Sequence, residues 1–278
     1  MPELPEVEVV KRELEKLARG EIIRDVNIYF SGAVGYPEKN EFMRLIKGRI
    51  IKGLTRKGKY LTFDLSGDFR LIIHFRMTGT LKYELDDYSP PAKHVRIVLW
   101  LESGRSIYFI DQRKFGKMWL LQPGEDSCIG IEQLGPDWWN EASLPLFKER
   151  LASRVNSRLK PLLLDQKFMS GLGNIYVDES LYRARLHPSC RVKFLRESKK
   201  EELYYIIREI LKEGIEHGGT TIRDYRHANG NSGEYQEMLR VYRKQGELCR
   251  CCHRVIQRMS LGGRGTYFCP GCQQDVKD

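Results

Sequence analysis

At 278 residues the chain can form two domains, each with its own core, and the lack of any run of about 18 apolar residues excludes a membrane-spanning helix. Its charged start is unlike a signal peptide, so a cytoplasmic protein is expected, and seven cysteines there argue against a disulfide scaffold and for metal binding. The net charge of +10 is uneven: residues 151–278 hold 23 basic and 15 acidic side chains, which suits a polyanion partner and salt-sensitive binding, though charge alone also serves solubility.

The chain opens Met1-Pro2-Glu3-Leu4-Pro5-Glu6-Val7-Glu8. Once Met1 is removed, Pro2 presents an α-amine whose pKa near 8 lies roughly two units below that of lysine. A secondary amine condensing with an aldehyde gives an iminium, which is permanently cationic, withdraws electrons from the neighbouring carbon and favours elimination. Glu3 places an acid beside it. The same residues also read as a plain helix entry, with Pro5 in the first turn and Glu6 and Glu8 complementing the helix dipole, and the two readings are compatible. Val7, Val10, Leu14 and Leu17 then recur at helical spacing up to Gly20, so an amphipathic helix anchors the reactive terminus.

This opening resembles the formamidopyrimidine-DNA glycosylase and endonuclease VIII family of base-excision repair enzymes, and the resemblance extends to the C-terminus. It implies that Pro2 is the Schiff-base nucleophile, that Glu3 is the general acid helping to open the deoxyribose, and that Glu6 occupies a supporting acidic position.

From about residue 22 to 122 the pattern changes to short runs rich in Ile, Val, Leu, Phe and Tyr: 61–65, 71–75, 95–100, 107–110 and 118–121, read together as a β-sandwich. Lys57 and Lys59 flank Gly58 just before a strand, which by residue type is a solvated turn; the resemblance implies that Lys59 contacts the lesion's phosphate and assists catalysis. His74, inside an apolar run, reads as a core histidine, whereas the resemblance makes it a phosphate contact. The resemblance also puts His94 at a DNA contact, although the stretch before it is shorter than the family pattern.

An enzyme acting on a base inside a duplex must extrude the nucleotide and fill the hole. Met77, Arg113 and Phe115 supply a long apolar side chain, a guanidinium able to pair with the orphaned base, and an aromatic wedge. Taken alone, Met77 and Phe115 read as core packing; the resemblance makes the three a void-filling triad. The form Arg113-Lys114-Phe115-Gly116 favours the formamidopyrimidine branch over endonuclease VIII.

Residues 123–143, containing Leu134-Gly135-Pro136-Asp137, read as an interdomain linker. After it the periodicity is helical over Ser143 to Val155 and Glu197 to His217. Between these lie Leu159 to Asp165 and Ser170 to Glu179, two short helices joined by a glycine-rich turn that aims a helix N-terminus at a phosphate. By pattern this is any helical hairpin; by resemblance it is a helix-two-turn-helix in which Asn174 holds a phosphate beside the lesion. Residues 217–237 have no periodicity and much Gly, Asn and Ser, and resemble the loop that closes over the flipped purine, expected to be mobile without DNA.

Cys249 and Cys252, then Cys269 and Cys272, form two Cys-x2-Cys knuckles of the kind that give one zinc ion four thiolates and no open position, a structural site. Cys251 and His253 are spare donors, while Cys128 and Cys190 read as idle thiols. A β-hairpin with its tip at Leu261 to Gly265 fits between the knuckles, and with no hydrophobic support evident the metal must hold it. Arg264 reads as an exposed loop cation; the resemblance implies that it grips the lesion phosphate and serves the second elimination.

The expectation is an α+β chain of two domains, an N-terminal β-sandwich with an N-terminal helix and a C-terminal helical domain with a helix-two-turn-helix and a zinc-bound hairpin. The expected limits are 1–135, 136–240 and 241–278. The resemblance implies a monomeric glycosylase and abasic-site lyase that removes oxidised purines from double-stranded DNA in the cytoplasm, nucleoid-associated when bound. Two alternatives stay open: an endonuclease VIII-like enzyme for oxidised pyrimidines, and a non-enzymatic zinc-dependent DNA-binding protein.

Overall fold

Helix α1 (Leu4–Ala18) begins with Pro5 in its first turn, where a missing N–H is harmless, and Glu3 and Glu6 close a reciprocal capping box across its start. The structure, a computed structural model, describes residues 1–85, 93–125, 130–220 and 233–274. These divide into two compact units, Met1–Glu132 with Ile215–Gln236, and Gln133–Gly214 with Glu237–Asp278. The zinc-type segment thus clusters with the helices, and the described part of 215–236 with the strands.

In the first unit the chain runs through β1 (Ile23–Ile28), β2 (Val34–Tyr36), α2 (Lys39–Ile46), β3 (Ile51–Lys57), β4 (Tyr60–Leu65), β5 (Arg70–His74), β6 (Gly79–Leu85), β7 (Val95–Leu101), β8 (Arg105–Asp111) and β9 (Lys117–Leu121). One sheet has the order β1-β7-β8-β6 and the other β2-β9-β5-β4-β3. Strand β4 shows why they form: Leu61, Phe63 and Leu65 are buried while Tyr60, Thr62 and Asp64 stay half-buried, the period-two pattern of a strand with one face inward. Both sheets contribute to one core, into which α1 sends Val7, Val10, Leu14 and Ala18. Strand β7 is apolar at every position but Arg96 because its second face is covered too, Val95 and Val98 packing with Tyr108. Helix α2 escapes the sequence pattern, since eight residues give the helical period barely two repeats, although Phe42 and Ile46 are fully buried.

The second unit contains α3 (Leu144–Ala152), α4 (Leu159–Leu164), α5 (Asn174–Arg183), most of α6 (Glu197–Glu216) and the hairpin β10 (Gln257–Leu261) with β11 (Arg264–Phe268). Ser143 caps α3 by accepting from Leu146 N. The expected linker is only partly a linker: Trp138 is fully buried, with its ring 5.2 Å from that of Phe147, and Asp137 Oδ1 accepts the N–H groups of Trp139 and Asn140. An aromatic anchor inside a Pro-Asp turn is invisible to a reading based on turn residues.

The hairpin turn is the two-residue Gly262-Gly263, both with positive φ (59° and 72°), the conformation that continues the right-handed twist of the strands. Its lack of hydrophobic support is corrected here: Leu261 and Phe268 are buried, and the Phe268 ring meets His187 edge-on at 4.9 Å. Cys128 and residues 221–232 of the expected loop lie outside the described residues.

Candidate functional site

Met1 is 46% exposed at the head of α1, whereas Pro2 and Glu3 are buried. Glu6, 1% exposed, uses both carboxylate oxygens: Oε2 accepts Glu3 N at 2.7 Å and Oε1 accepts Thr220 N at 2.8 Å. One side chain therefore fixes the residue after Pro2 and the start of the 217–237 segment. Gly219 (φ +78°) must be glycine there, because a Cβ would come within 2.8 Å of Glu6 Cγ. The far end of that segment returns to its start, Glu234 N donating to His217 O and Tyr235 N to Gly219 O at 2.9 and 3.1 Å.

Lys59 sits in the two-residue turn between β3 and β4, where Lys57 pairs with Tyr60 and Gly58 takes φ 58°. Its exposure is only 7%, so it is not the solvated turn that residue type suggests. His74 ends β5 opposite Tyr60, whose ring lies 4.5 Å away, and is also 7% exposed. Its Nδ1 accepts Arg76 N at 3.0 Å, so the neutral ring carries its proton on Nε2, a donor suited to a phosphate oxygen.

Burial, helped by the charges of Arg76 and Lys59, lowers the His74 pKa to about 3. A histidine with a depressed folded pKa binds its proton in the unfolded chain first, so the fold loses stability as pH falls from about 6.5 towards 3 and is unaffected above that window. From pH 7 to pH 5 this single group should remove about 2 kcal/mol. In urea titrations of the free protein, His74→Gln should shrink the pH 7 to pH 5 stability difference by that amount; an unchanged difference would refute it.

Met77 (43% exposed), Arg113 (exposed) and Phe115 (51% exposed) stand on two turns, with the Arg113 guanidinium 4.9 Å from the centre of the Phe115 ring. Exposed apolar side chains of this size are not core packing. What ties the two turns together is Asp111, missed as a functional residue and 1% exposed. Its carboxylate accepts the Thr78 hydroxyl, Arg113 N at 3.2 Å and Gly116 N at 2.7 Å. Thr78 follows Met77 directly, so one carboxylate organises all three positions; an Asp opening a turn is the signal that could have found it. His94 gives its carbonyl to Asp111 N at 2.9 Å, and its buried Nδ1 has no hydrogen-bond partner among the described residues.

In the second unit, Asn174 is the first residue of α5, and its Nδ2 donates to Gly265 O at 2.9 Å. Lys160 Nζ donates to the same carbonyl at 3.0 Å and pairs with Asp178 at 2.7 Å, both side chains fully buried. Asp178 also accepts Tyr267 N at 3.1 Å. Burial pushes the Asp178 carboxyl up, and Lys160 pulls it back. The hairpin is thus bolted to α4 and α5 at Gly265 and Tyr267, with Arg264 exposed beside its tip. Sequence reading singled out Asn174 and Arg264 but not the Lys160–Asp178 pair.

The Sγ atoms of Cys249, Cys252, Cys269 and Cys272 lie within 4.8 Å of one another, with Cys249 to Cys272 at 3.8 Å and Cys252 to Cys269 at 3.3 Å. Thiolates held at about 2.3 Å from a tetrahedral ion sit about 3.8 Å apart, so the four fit one metal. Cys251 and His253 are exposed and outside this group. Burial and then the neighbouring sulfurs push the Cys272 thiol up, and burial raises Cys269 as well. Despite burial, Cys249 is drawn down to about 6 by the Tyr182 hydroxyl, 3.2 Å from its sulfur, and by backbone N–H groups. Four thiolates this close need a cation to remain charged.

A family model described as the formamidopyrimidine-DNA glycosylase N-terminal domain matches residues 1–118, and one described as the H2TH domain of the same glycosylase matches residues 134–226. The chain belongs to the formamidopyrimidine-DNA glycosylase family. Within it, the formamidopyrimidine-DNA glycosylase of Pelotomaculum thermopropionicum is 42% identical over 275 residues and that of Desulforamulus reducens 40% over 276, each alignment covering 99% of both chains. Among solved glycosylase structures, MutM in complex with DNA containing carbocyclic 8-oxo-G is 38% identical with a TM-score of 0.89. Lactococcus lactis Fpg in complex with DNA containing an abasic site is 36% identical with a TM-score of 0.88, and both comparisons cover 99% of this chain and 100% of the other.

Proposed function

We propose that this chain is a bifunctional DNA glycosylase and abasic-site lyase that removes oxidised purines, 8-oxoguanine and formamidopyrimidines, from double-stranded DNA. The observation that carries the reading is the head of α1, where Glu6 fixes the backbone beside a buried N-terminal imino acid. With Met1 removed, the Pro2 nitrogen bonds to C1′ as the glycosidic bond to the damaged base breaks. Glu3 delivers a proton to the ring oxygen, opening the sugar to an iminium. The cationic carbon–nitrogen double bond acidifies C2′, loss of that proton expels the 3′ phosphate, and a second elimination expels the 5′ phosphate.

Lys59 and His74 in the first unit, and Asn174 and Arg264 in the second, supply the phosphate contacts, with His94 a further DNA contact. Met77, Arg113 and Phe115 fill the space left by the extruded nucleotide. The complexes solved for relatives, with carbocyclic 8-oxo-G, Fapy-dG and abasic-site DNA, support the substrate class. Cys249, Cys252, Cys269 and Cys272 hold one structural zinc ion, which keeps the Arg264 hairpin folded. The protein acts as a monomer in the cytoplasm, at the nucleoid when bound to DNA; no helix among the described residues is long and apolar enough to cross a membrane.

Incubation with a duplex containing one 8-oxoguanine tests this: a one-nucleotide gap with phosphate on both flanks is expected. An intact duplex, or faster excision of thymine glycol, would contradict it. The Asp111 arrangement adds a second expectation. Removing a charged acceptor loses roughly 1.5–3 kcal/mol per hydrogen bond, so Asp111→Ala should be destabilised by about 3 kcal/mol or more. It should also slow excision of a paired 8-oxoguanine more than cleavage of a pre-formed abasic site. Single-turnover assays on both substrates measure this, and equal slowing would argue against a role in extrusion.

A further inference from the structure

The first unit encloses an ion pair that none of the roles above uses. Glu8, on α1, and Arg56, on β3, have side chains 8% and 0% exposed, with Arg56 Nε donating to Glu8 Oε2 at 2.9 Å. The other oxygen of Glu8 accepts Arg12 Nε at 2.9 Å, one helical turn on. The second arm of Arg56 reaches elsewhere: Nη1 donates to Gly58 O at 2.9 Å, in the turn that carries Lys59. A tight hairpin turn leaves that carbonyl outside the ladder, and the guanidinium satisfies it.

A buried ion pair contributes little net stability, because desolvation offsets its attraction. What it does provide is geometry. The donors of a guanidinium lie in one rigid plane, so an arginine bound at both ends fixes the spacing between its two acceptors. Here those acceptors are a carboxylate on the helix headed by Pro2 and Glu3, and a carbonyl one residue before Lys59. Gly58 takes a positive φ and Lys59 is buried, so this turn is held in one conformation.

We propose that Glu8 and Arg56 are a positioning pair that sets the Lys59 turn against the helix bearing the nucleophile. This rests on the reading of Pro2 and Lys59 given above. The pair touches no reacting atom; it acts through Lys59.

Arg56→Lys keeps the charge but offers a single ammonium, which cannot span both acceptors as the fork does. The single-turnover rate of base release from an 8-oxoguanine duplex should fall about tenfold to a hundredfold, the effect of misplacing a reacting group by about an ångström. Affinity for a duplex with an uncleavable abasic analogue should change by less than about threefold, since most phosphate contacts are untouched. In a Lys59→Ala background, Arg56→Lys should cause no further loss of rate. An unchanged rate in the single variant, or losses that multiply in the double variant, would overturn the proposal.

If Arg56→Lys does not fold, the same cycle is run with Glu8→Ala, which removes the acceptor of Nε. Should that variant also unfold, the pair is a folding device only and the proposal is wrong. Wild-type protein that yields no borohydride-trapped adduct would sink the Pro2 reading itself; trapping by wild type with independent Arg56 and Lys59 effects would sink only the pair.

Discussion

Pro2→Thr is expected to bind lesion DNA normally and to excise almost nothing. The substituted terminus still loses Met1 but presents a primary amine, whose adduct with C1′ must acquire a proton before it is cationic, whereas proline's iminium is cationic from the moment it forms. The rate of abasic-site cleavage should fall by about 10²–10⁴-fold, the range for losing a positioned catalytic group. Affinity should be nearly unchanged, because Pro2 is buried at the head of α1 and the proposed phosphate contacts lie on other elements. Gel-shift and single-turnover assays on the same preparation separate the two effects. A protein that merely recognises damaged duplex would give the same binding result but would have no cleavage to lose, so wild-type turnover is the discriminating observation.

Zinc removal should have the second-largest effect, and a localised one. The buried apolar side chains of the Cys249 to Cys272 segment, Ile256, Leu261 and Phe268, contribute about 1.5–3 kcal/mol each, less together than the about 10–16 kcal/mol that a structural zinc would add. Chelation, or Cys272→Ser, should therefore release β10 and β11 and free Gly265 from Asn174 and Lys160. Affinity for abasic-analogue DNA should fall on the order of a hundredfold, the scale of one or two lost charge-assisted phosphate contacts. The strands of the first unit should survive, because their core, among the described residues, is built from residues 7–120. Far-UV circular dichroism follows the strands, and metal analysis follows the ion. Full affinity in the zinc-free protein would contradict this account.

Much of the chemistry is legible because it is local. Two knuckles with fixed internal spacing give the Sγ cluster, and the opening residues give α1 and the proposed nucleophile, since a secondary amine, a neighbouring acid and a helix entry occupy consecutive positions. Strands β4, β5, β7, β8 and β9 are also visible, being short apolar runs between glycines. The residues that hold the site together are not local and were not legible: Asp111 meets Thr78 across 33 residues, Arg56 meets Glu8 across 48 and Lys160 meets Gly265 across 105. Each is a charged residue whose partner lies far away in sequence, so nothing beside it separates it from a solvated side chain. Strands β3 and β6 were missed for a related reason, as Lys52, Arg56, Lys82 and Glu84 interrupt their apolar pattern where only one face is buried.

The central claim is that the N-terminal imino acid forms the covalent bond to DNA. The direct measurement is borohydride trapping on an 8-oxoguanine duplex, followed by tryptic digestion and mass spectrometry of the adduct. The account predicts one cross-linked peptide, beginning at Pro2 and ending at Lys11, with Met1 absent. A cross-link on the peptide carrying Lys59, or a trapped protein that still begins with Met1, would contradict it.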